Sequence, residues 1–164
     1  MSADARFEDG GEAPLRLRAF DPEDLQVIAS LVQDAVFPGS EMRWQPRQRR
    51  FALLLNRFRW EDAVSGQARP AARLAARPAE RVRSVLAVED VAAVRSQGVE
   101  RDGDTVYSLL DIAFQPGAEG AGLVVMTLAG DGTIELAVEV LEVTLTDVTR
   151  PYLAPSRRAP DHPA

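Results

Sequence analysis

The chain has 164 residues, an apolar fraction of 46% and a net charge of −6, a composition typical of one globular domain. It contains no cysteine, which excludes disulfides, thiolate nucleophiles and cysteine-ligated metal sites. Its single histidine is His162, so neither a Ser-His-Asp triad in the domain nor a histidine-ligated metal site is expected. These residue types favour a protein that is not an enzyme, with no catalytic residues, no metal and no cofactor.

Composition along the chain predicts one domain with extensions. Residues 1–14 are acidic and nearly devoid of large apolar groups, which predicts a flexible tail. We expect the globular domain over 15–148, interrupted by a mobile loop at 61–79, and a Pro-rich flexible tail over 149–164. The N terminus lacks the apolar segment of a signal peptide, and no apolar run approaches the roughly 18 residues that span a bilayer. A cytoplasmic protein without membrane attachment is the expectation.

The first elements are a strand and a helix. Apolar and basic residues alternate from Leu15 to Ala19, which predicts a strand. Asp21 and Pro22 then form a helix start, with Asp21 as the N-cap and Pro22 at the first helical position. Apolar residues at helical spacing continue the pattern, so we predict a helix over about 21–32.

Alternating apolar and polar residues predict strands through most of the remaining chain. The strongest is Phe51 to Trp60, in which Arg57 shares a face with the large apolar side chains. Glu80 to Gln97 alternates with a predicted bend near Glu89 and Asp90, and Gly130 to Gly132 has the composition of a hairpin turn. In the strand that follows Gly98 and the polar loop 100–104, the predicted core face consists of Val106, Ser108, Leu110, Ile112 and Phe114.

The last strand contains a break in phase. Apolar residues alternate with polar ones up to Val140, and the apolar phase then changes by one position at Leu141. Because a shift of one residue sends every later side chain to the other face, this predicts a β-bulge. A strand that crosses between two faces of a barrel is the other way to produce the change.

Together these elements predict an α+β fold that is mainly β. Consecutive strands joined by short turns imply antiparallel pairing. We expect about seven or eight strands in a curled sheet or a small barrel, with one N-terminal helix. The alternation leaves open whether the sheet closes.

Charge is segregated along the chain. All 19 basic residues are arginines, a bias that a GC-rich genome explains more simply than phosphate recognition does. Residues 43–83 nevertheless hold eleven arginines against three acids, a net charge of +8, whereas the rest of the chain holds eight arginines against 22 acids. The basic segment is therefore the strongest feature that composition offers for binding.

Within that segment, residues 43–59 interleave arginines with aromatic side chains, a pattern that can hold single-stranded nucleic acid. The candidate anion- or partner-binding residues are Arg43, Arg47, Arg49, Arg50, Arg57 and Arg59. The alternative interpretation is that Trp44, Phe58 and Trp60 are core and that Arg57 and Arg59 pair across strands with acids. The acids in reach on that interpretation are Glu135, Glu139 and Glu142.

The run from Gln48 to Asp62, QRRFALLLNRFRWED, resembles a family of short alphaproteobacterial proteins known only as a domain of unknown function. Leu15 to Ala35, Arg81 to Gly98 and the final hairpin also fit that family, so the likeness covers roughly residues 14–155. The resemblance implies a bacterial, cytoplasmic setting and brings no activity, cofactor or catalytic residue.

Two functions follow as hypotheses. The first is a non-catalytic binding or scaffolding domain that acts through protein–protein contacts, with another protein or a second copy of the chain as partner. The second is an RNA- or anion-binding module that uses the Arg-rich segment 43–59.

Overall fold

The computed structural model describes residues 14–58, 81–101 and 103–148. These residues form one α-helix, α1 (Pro22–Val32), and ten strands. The strands are β1 (Arg16–Ala19), β2 (Val36–Pro38), β3 (Met42–Gln45), β4 (Arg50–Phe58), β5 (Arg81–Val88), β6 (Val91–Gln97), β7 (Val106–Pro116), β8 (Gly122–Leu128), β9 (Thr133–Val138) and β10 (Val143–Asp147). The loop predicted at 61–79, the C-terminal tail and all of the N-terminal tail but Pro14 lie outside the described residues.

Helix α1 begins as its sequence predicts. The Oδ1 atom of Asp21 accepts a hydrogen bond from the backbone N–H of Asp24 at 2.8 Å, and Pro22 occupies the first turn. Leu25 and Ile28 are buried at helical spacing, and the helix packs against β7 and β1. The helix predicted over about 21–32 is therefore confirmed.

The strands form one antiparallel sheet. Its order is β1-β10-β5-β4-β2-β7-β8-β9-β6, and β3 pairs with β4 beside this path. The two ends of the order, β1 and β6, do not pair with each other among the described residues, so the sheet is curled and not closed. This confirms the α+β, mainly β prediction and selects the curled sheet over the barrel.

The core lies inside the curl. Strand β4 places Phe51, Leu53 and Leu55 in it, each about 1% exposed or less. Burial was expected on both faces of this part of the strand, but Ala52 and Leu54 on the other face are only half-buried. From the other half of the sheet, Met126 and Leu136 belong to the same buried cluster. Burial of alternate side chains from both halves thus holds the curl together.

A corner, formed by residues 89–90 and 139–142, carries two strands from one half of the sheet to the other. Strand β5 continues into β6 there, and β9 continues into β10. The bends are tied together, because the N–H of Glu89 donates to the carbonyl of Glu142 and the N–H of Glu139 donates to the carbonyl of Asp90, both at 3.0 Å. Asp90 has a φ of 58°, in the left-handed region, which makes the bend sharp.

The corner explains the phase change in the sequence. Val140 is 48% exposed whereas Leu141 is 3% exposed, so the apolar phase does change between them. The predicted β-bulge is wrong here: the cause is a chain that passes from β9 in one half of the sheet to β10 in the other, which was the alternative explanation. Each bend divides one predicted strand into two, and this accounts for ten strands where seven or eight were expected.

The predicted core face of β7 is wrong in part. Val106 and Leu110 are exposed, while Leu109 is fully buried. The pairing of β7 with β8 shifts in register between Leu109 and Asp111, so the side chains before and after that point follow different phases. A regular alternation drawn through the shift therefore places Val106 and Leu110 on the wrong face.

Because of the corner, a charged substitution should cost much more stability at Leu141 than at the adjacent Val140. Leu141→Asp should lower the free energy of unfolding by about 3 kcal/mol or more, because it places a carboxylate in the core. Val140→Asp should change it by less than about 1 kcal/mol, because that side chain is half in solvent. Urea denaturation of both variants measures the difference, and equal losses would contradict the change of face.

Candidate interaction site

Arg57 lies in the interior, although it was a candidate for a binding surface. Its side chain is fully buried, as is that of Asp147. The Nη2 atom of Arg57 donates to both carboxylate oxygens of Asp147 at 3.0 and 3.1 Å, and Nε donates to Oδ1 at 3.2 Å. Planar guanidinium groups form such forked contacts with carboxylates. The charge of Arg57 is thus paired with a buried carboxylate and is not presented at the surface.

Other polar groups complete this buried network. The hydroxyl of Ser84 donates to Oδ1 of Asp147 at 2.7 Å and accepts from Nε of Arg57 at 3.1 Å. The backbone N–H of Leu15 donates to Oδ2 of Asp147 at 2.8 Å. The network joins β4, β5 and β10 to the residue before β1, so one buried ion pair fixes four segments that are distant in sequence.

Arg49 and Arg50 lie at the surface and pair with acids at the corner. Nη2 of Arg49 lies 2.8 Å from a carboxylate oxygen of Glu139, and Nε of Arg50 lies 3.0 Å from one of Glu89. The hydrogen bond and charge of Glu139 raise the pKa of Arg49 above its ordinary value. Glu139 therefore neutralises an arginine, as the alternative interpretation expected of the three acids, but the arginine is Arg49. Arg57, which that interpretation paired with one of these acids, instead pairs with Asp147.

Arg43 and Arg47 are exposed and have no carboxylate partner among the described residues. A guanidinium N–H of Arg43 donates to the carbonyl of Ser40 at 3.3 Å. Trp44, between the two arginines, is half-buried and packs on the core. Arg59 lies outside the described residues. The predicted group therefore divides into one buried arginine, two paired ones and two exposed ones, and the described arginines do not form one patch.

A groove on the outer face of the sheet brings together Arg50, which was a candidate, and residues that were not. It has a volume of about 810 Å³ and crosses β1, β10 and β5 as far as the corner. The lining residues are Arg16, Leu17, Arg18, Arg50, Ala87, Glu89, Asp90, Glu142, Thr144 and Thr146. Three arginines, three acids and two hydroxyls thus face one depression.

Strand register sets the order of charges along the groove. Arg16 lies opposite Thr146 and Arg18 opposite Thr144, while Glu142 lies at the corner beyond them. Since a strand rises about 3.3 Å per residue, the level of Arg16 is about 13 Å from the level of Glu142. Arg18 is 3.7 Å from Glu142, and Arg16 has no carboxylate partner in the described part of the chain. One end of the groove is therefore basic and the corner end mostly acidic.

The signal for these residues is present in the sequence. Arg16 and Arg18 alternate with Leu15 and Leu17, which places both arginines on the outer face of a strand. What the sequence does not contain is the neighbour of that strand, because β1 pairs with β10 from the other end of the chain. Long-range pairing, not local pattern, assembles the groove.

The described residues contain no group of three or more histidine, cysteine or carboxylate side chains placed to hold a metal ion. None of the helices in that part of the chain is long and apolar enough to cross a membrane.

Comparison with known proteins places the chain in a family. A family model described as a protein of unknown function (DUF2948) matches residues 15–162, so the chain belongs to that family. This confirms the resemblance to a domain of unknown function. No curated protein and no solved structure matches the chain.

Because the Arg57–Asp147 pair is buried, truncation of the Asp147 side chain should strongly lower the free energy of unfolding. Asp147→Ala leaves Arg57 charged and without its carboxylate in the core, which should cost about 3–5 kcal/mol of unfolding free energy. As a matched control, Glu89→Ala removes the acid of the surface pair with Arg50 and should cost at most about 1 kcal/mol. Chemical denaturation of both variants tests this, and a loss for Asp147→Ala no larger than that of the control would contradict the role of the network.

Proposed function

We propose that this protein is a non-catalytic binding or scaffolding domain that acts through protein–protein contacts, with the groove as its docking surface. The observation that carries the proposal is the groove itself, a depression of about 810 Å³ lined by matched opposite charges. We place this role in the cytoplasm, the setting that the family resemblance implies.

The composition of the groove supports a protein partner. Its three arginines and three acids offer both signs of charge, and Thr144 and Thr146 add hydroxyls that donate and accept. Complementary charge of this kind fixes the register and choice of a protein partner. A nucleic acid would meet the acids Glu89, Asp90 and Glu142 as repulsive groups.

The support beneath the groove also fits docking. Its floor consists of strand residues, and the buried Arg57–Asp147 pair lies on the other face of the same strands, β4 and β10. A surface carried by a fixed sheet loses little conformational freedom when a partner binds. The groove is therefore prepared for binding before the partner arrives.

The experiment is affinity capture from a lysate of the source cells with the full-length tagged protein. The wild type should retain a stoichiometric protein. Arg16→Glu/Arg18→Glu reverses the basic side of the groove and should reduce the captured amount about tenfold, equivalent to about 1.4 kcal/mol. Melting temperatures of the variants report that each remains folded.

The matched control is Arg43→Glu/Arg47→Glu, which makes the same change of charge on exposed arginines outside the groove. This variant should capture the partner as well as the wild type does. Capture of no protein, or equal capture by the groove variant, would contradict the proposal.

A second candidate function is RNA or anion binding by segment 43–59. The observation that favours it is the exposure of Arg43 and Arg47 without carboxylate partners among the described residues. Two exposed arginines without carboxylate partners in the described part of the chain could contact phosphates.

Binding of a fluorescent single-stranded oligouridine at low salt tests this second candidate. If segment 43–59 binds anions, affinity should fall steeply as salt rises, because each phosphate contact releases counterions. Arg43→Glu/Arg47→Glu should abolish binding and Arg16→Glu/Arg18→Glu should leave it intact. No binding at about 20 mM salt would eliminate this function.

A further inference from the structure

Strand β6 is an edge of the sheet that the described residues form. It pairs with β9 on one side and stands at the end of the strand order, so its other side has no strand partner among the described residues. A strand in that position presents a row of backbone N–H and C=O groups to any strand that can reach it. The edge begins next to the corner, where the N–H of Val91 donates to the carbonyl of Arg49 at 2.9 Å.

The other open edges have the protection that natural sheets use. Strand β1 is only four residues long and carries Arg16 and Arg18. Strand β3 is also four residues long, carries Arg43 and is followed by Pro46. The part of β7 beyond its pairing with β2 ends in Pro116, and helix α1 packs against this strand.

Strand β6 has little of this protection. It has seven residues, VAAVRSQ, with Arg95 as its one charge and no proline. Its one irregularity is a register shift between Val91 and Ala93, at the end nearest the corner. Ser96 and Gln97 point to opposite faces and are both exposed, so the second half of the strand is open to solvent on both sides. A long, accessible edge with a single charge is a site for strand addition.

We infer that β6 is a self-association surface, and that a second copy of this chain pairs its own β6 antiparallel to it across a two-fold axis near Val94. The two curled sheets then form one continuous sheet. This inference is independent of the groove, which lies on the outer face of β1, β10 and β5.

The sequence of β6 can pair with a second copy of itself, which identifies that copy as the partner at this edge. Antiparallel pairing centred on Val94 places Arg95 of one copy opposite Ala93 of the other, so no like charges face each other. Arg95 lies opposite Glu135 of β9 in its own subunit, so its neighbour on that side carries the opposite charge. In a two-fold interface each contact occurs twice, so the Arg95–Ala93 pair forms on both sides of the axis.

Sedimentation equilibrium of the full-length protein is the first test. We expect a mass twice the 17.9 kDa of the chain, with dissociation on dilution. A monomer mass at concentrations up to about 0.5 mM would overturn the inference, because a specific interface would be occupied there.

Two substitutions at one exposed position locate the interface. Ala93→Lys sets a lysine opposite Arg95 of the second copy and should raise the dissociation constant at least about tenfold. Ala93→Glu sets a carboxylate opposite the same arginine and should leave the dimer as tight or tighter. Ala113→Lys, on the exposed face of β7, is the control for adding a lysine to a strand and should leave the dimer unchanged.

Circular dichroism and the melting temperature establish that the three variants are folded, which their exposed positions favour. A dimer that is indifferent to Ala93→Lys, or equally weakened by Ala93→Lys and Ala93→Glu, would assign the interface to another surface and overturn the inference.

The absence of native cysteine allows a direct test of register. Separately tagged Ala93→Cys and Arg95→Cys proteins are mixed and oxidised. Positions 93 and 95 of the two copies are directly opposite, so the mixture should form a disulfide between the two proteins. Each variant alone should cross-link poorly, because its own cysteines are displaced diagonally. Equal cross-linking in all three samples would contradict the proposed register.

Discussion

The corner at 89–90 and 139–142 is the constraint on which the rest of the structure depends. Two neighbouring strands bend there together, held by paired backbone hydrogen bonds between Glu89 and Glu142 and between Asp90 and Glu139. The bend places β5 and β10 in one half of the sheet and β6 and β9 in the other. The groove ends at this bend and the open edge of β6 begins at it, so both proposed binding surfaces owe their positions to the same few residues.

Buried charge and apolar packing act on different parts of this arrangement. Apolar side chains from both halves fill the curl and supply the main driving force for folding. The Arg57–Asp147 pair favours one arrangement of neighbouring strands, because its network connects β4, β5 and β10 to the residue before β1. An alternative pairing that separated Arg57 from Asp147 would leave an uncompensated buried charge. The network therefore disfavours such pairings of these strands.

Local pattern predicted the helix, the existence of strand β4 and the change of phase near Val140, because each depends on near neighbours in sequence. It placed Arg57 on the same face as Leu53 and Leu55, which is where the structure has it. The sequence could not show that Asp147, ninety residues away, completes that position. Nor could it locate the register shift in β7, which depends on pairing with β8. Pairing between distant strands therefore determines the partner of Arg57 and the register shift in β7, which local alternation does not determine.

Amide hydrogen exchange at the corner, measured by NMR, tests this account most directly. The N–H groups of Glu89, Val91 and Glu139 each donate to a carbonyl within the corner or its adjoining turn. They should therefore exchange slowly, with protection similar to that of Leu86 and Leu145 in the flanking strands. Exchange at the rate of an unstructured peptide, with the flanking strands still protected, would contradict the hydrogen-bonded bend on which both proposed surfaces rest.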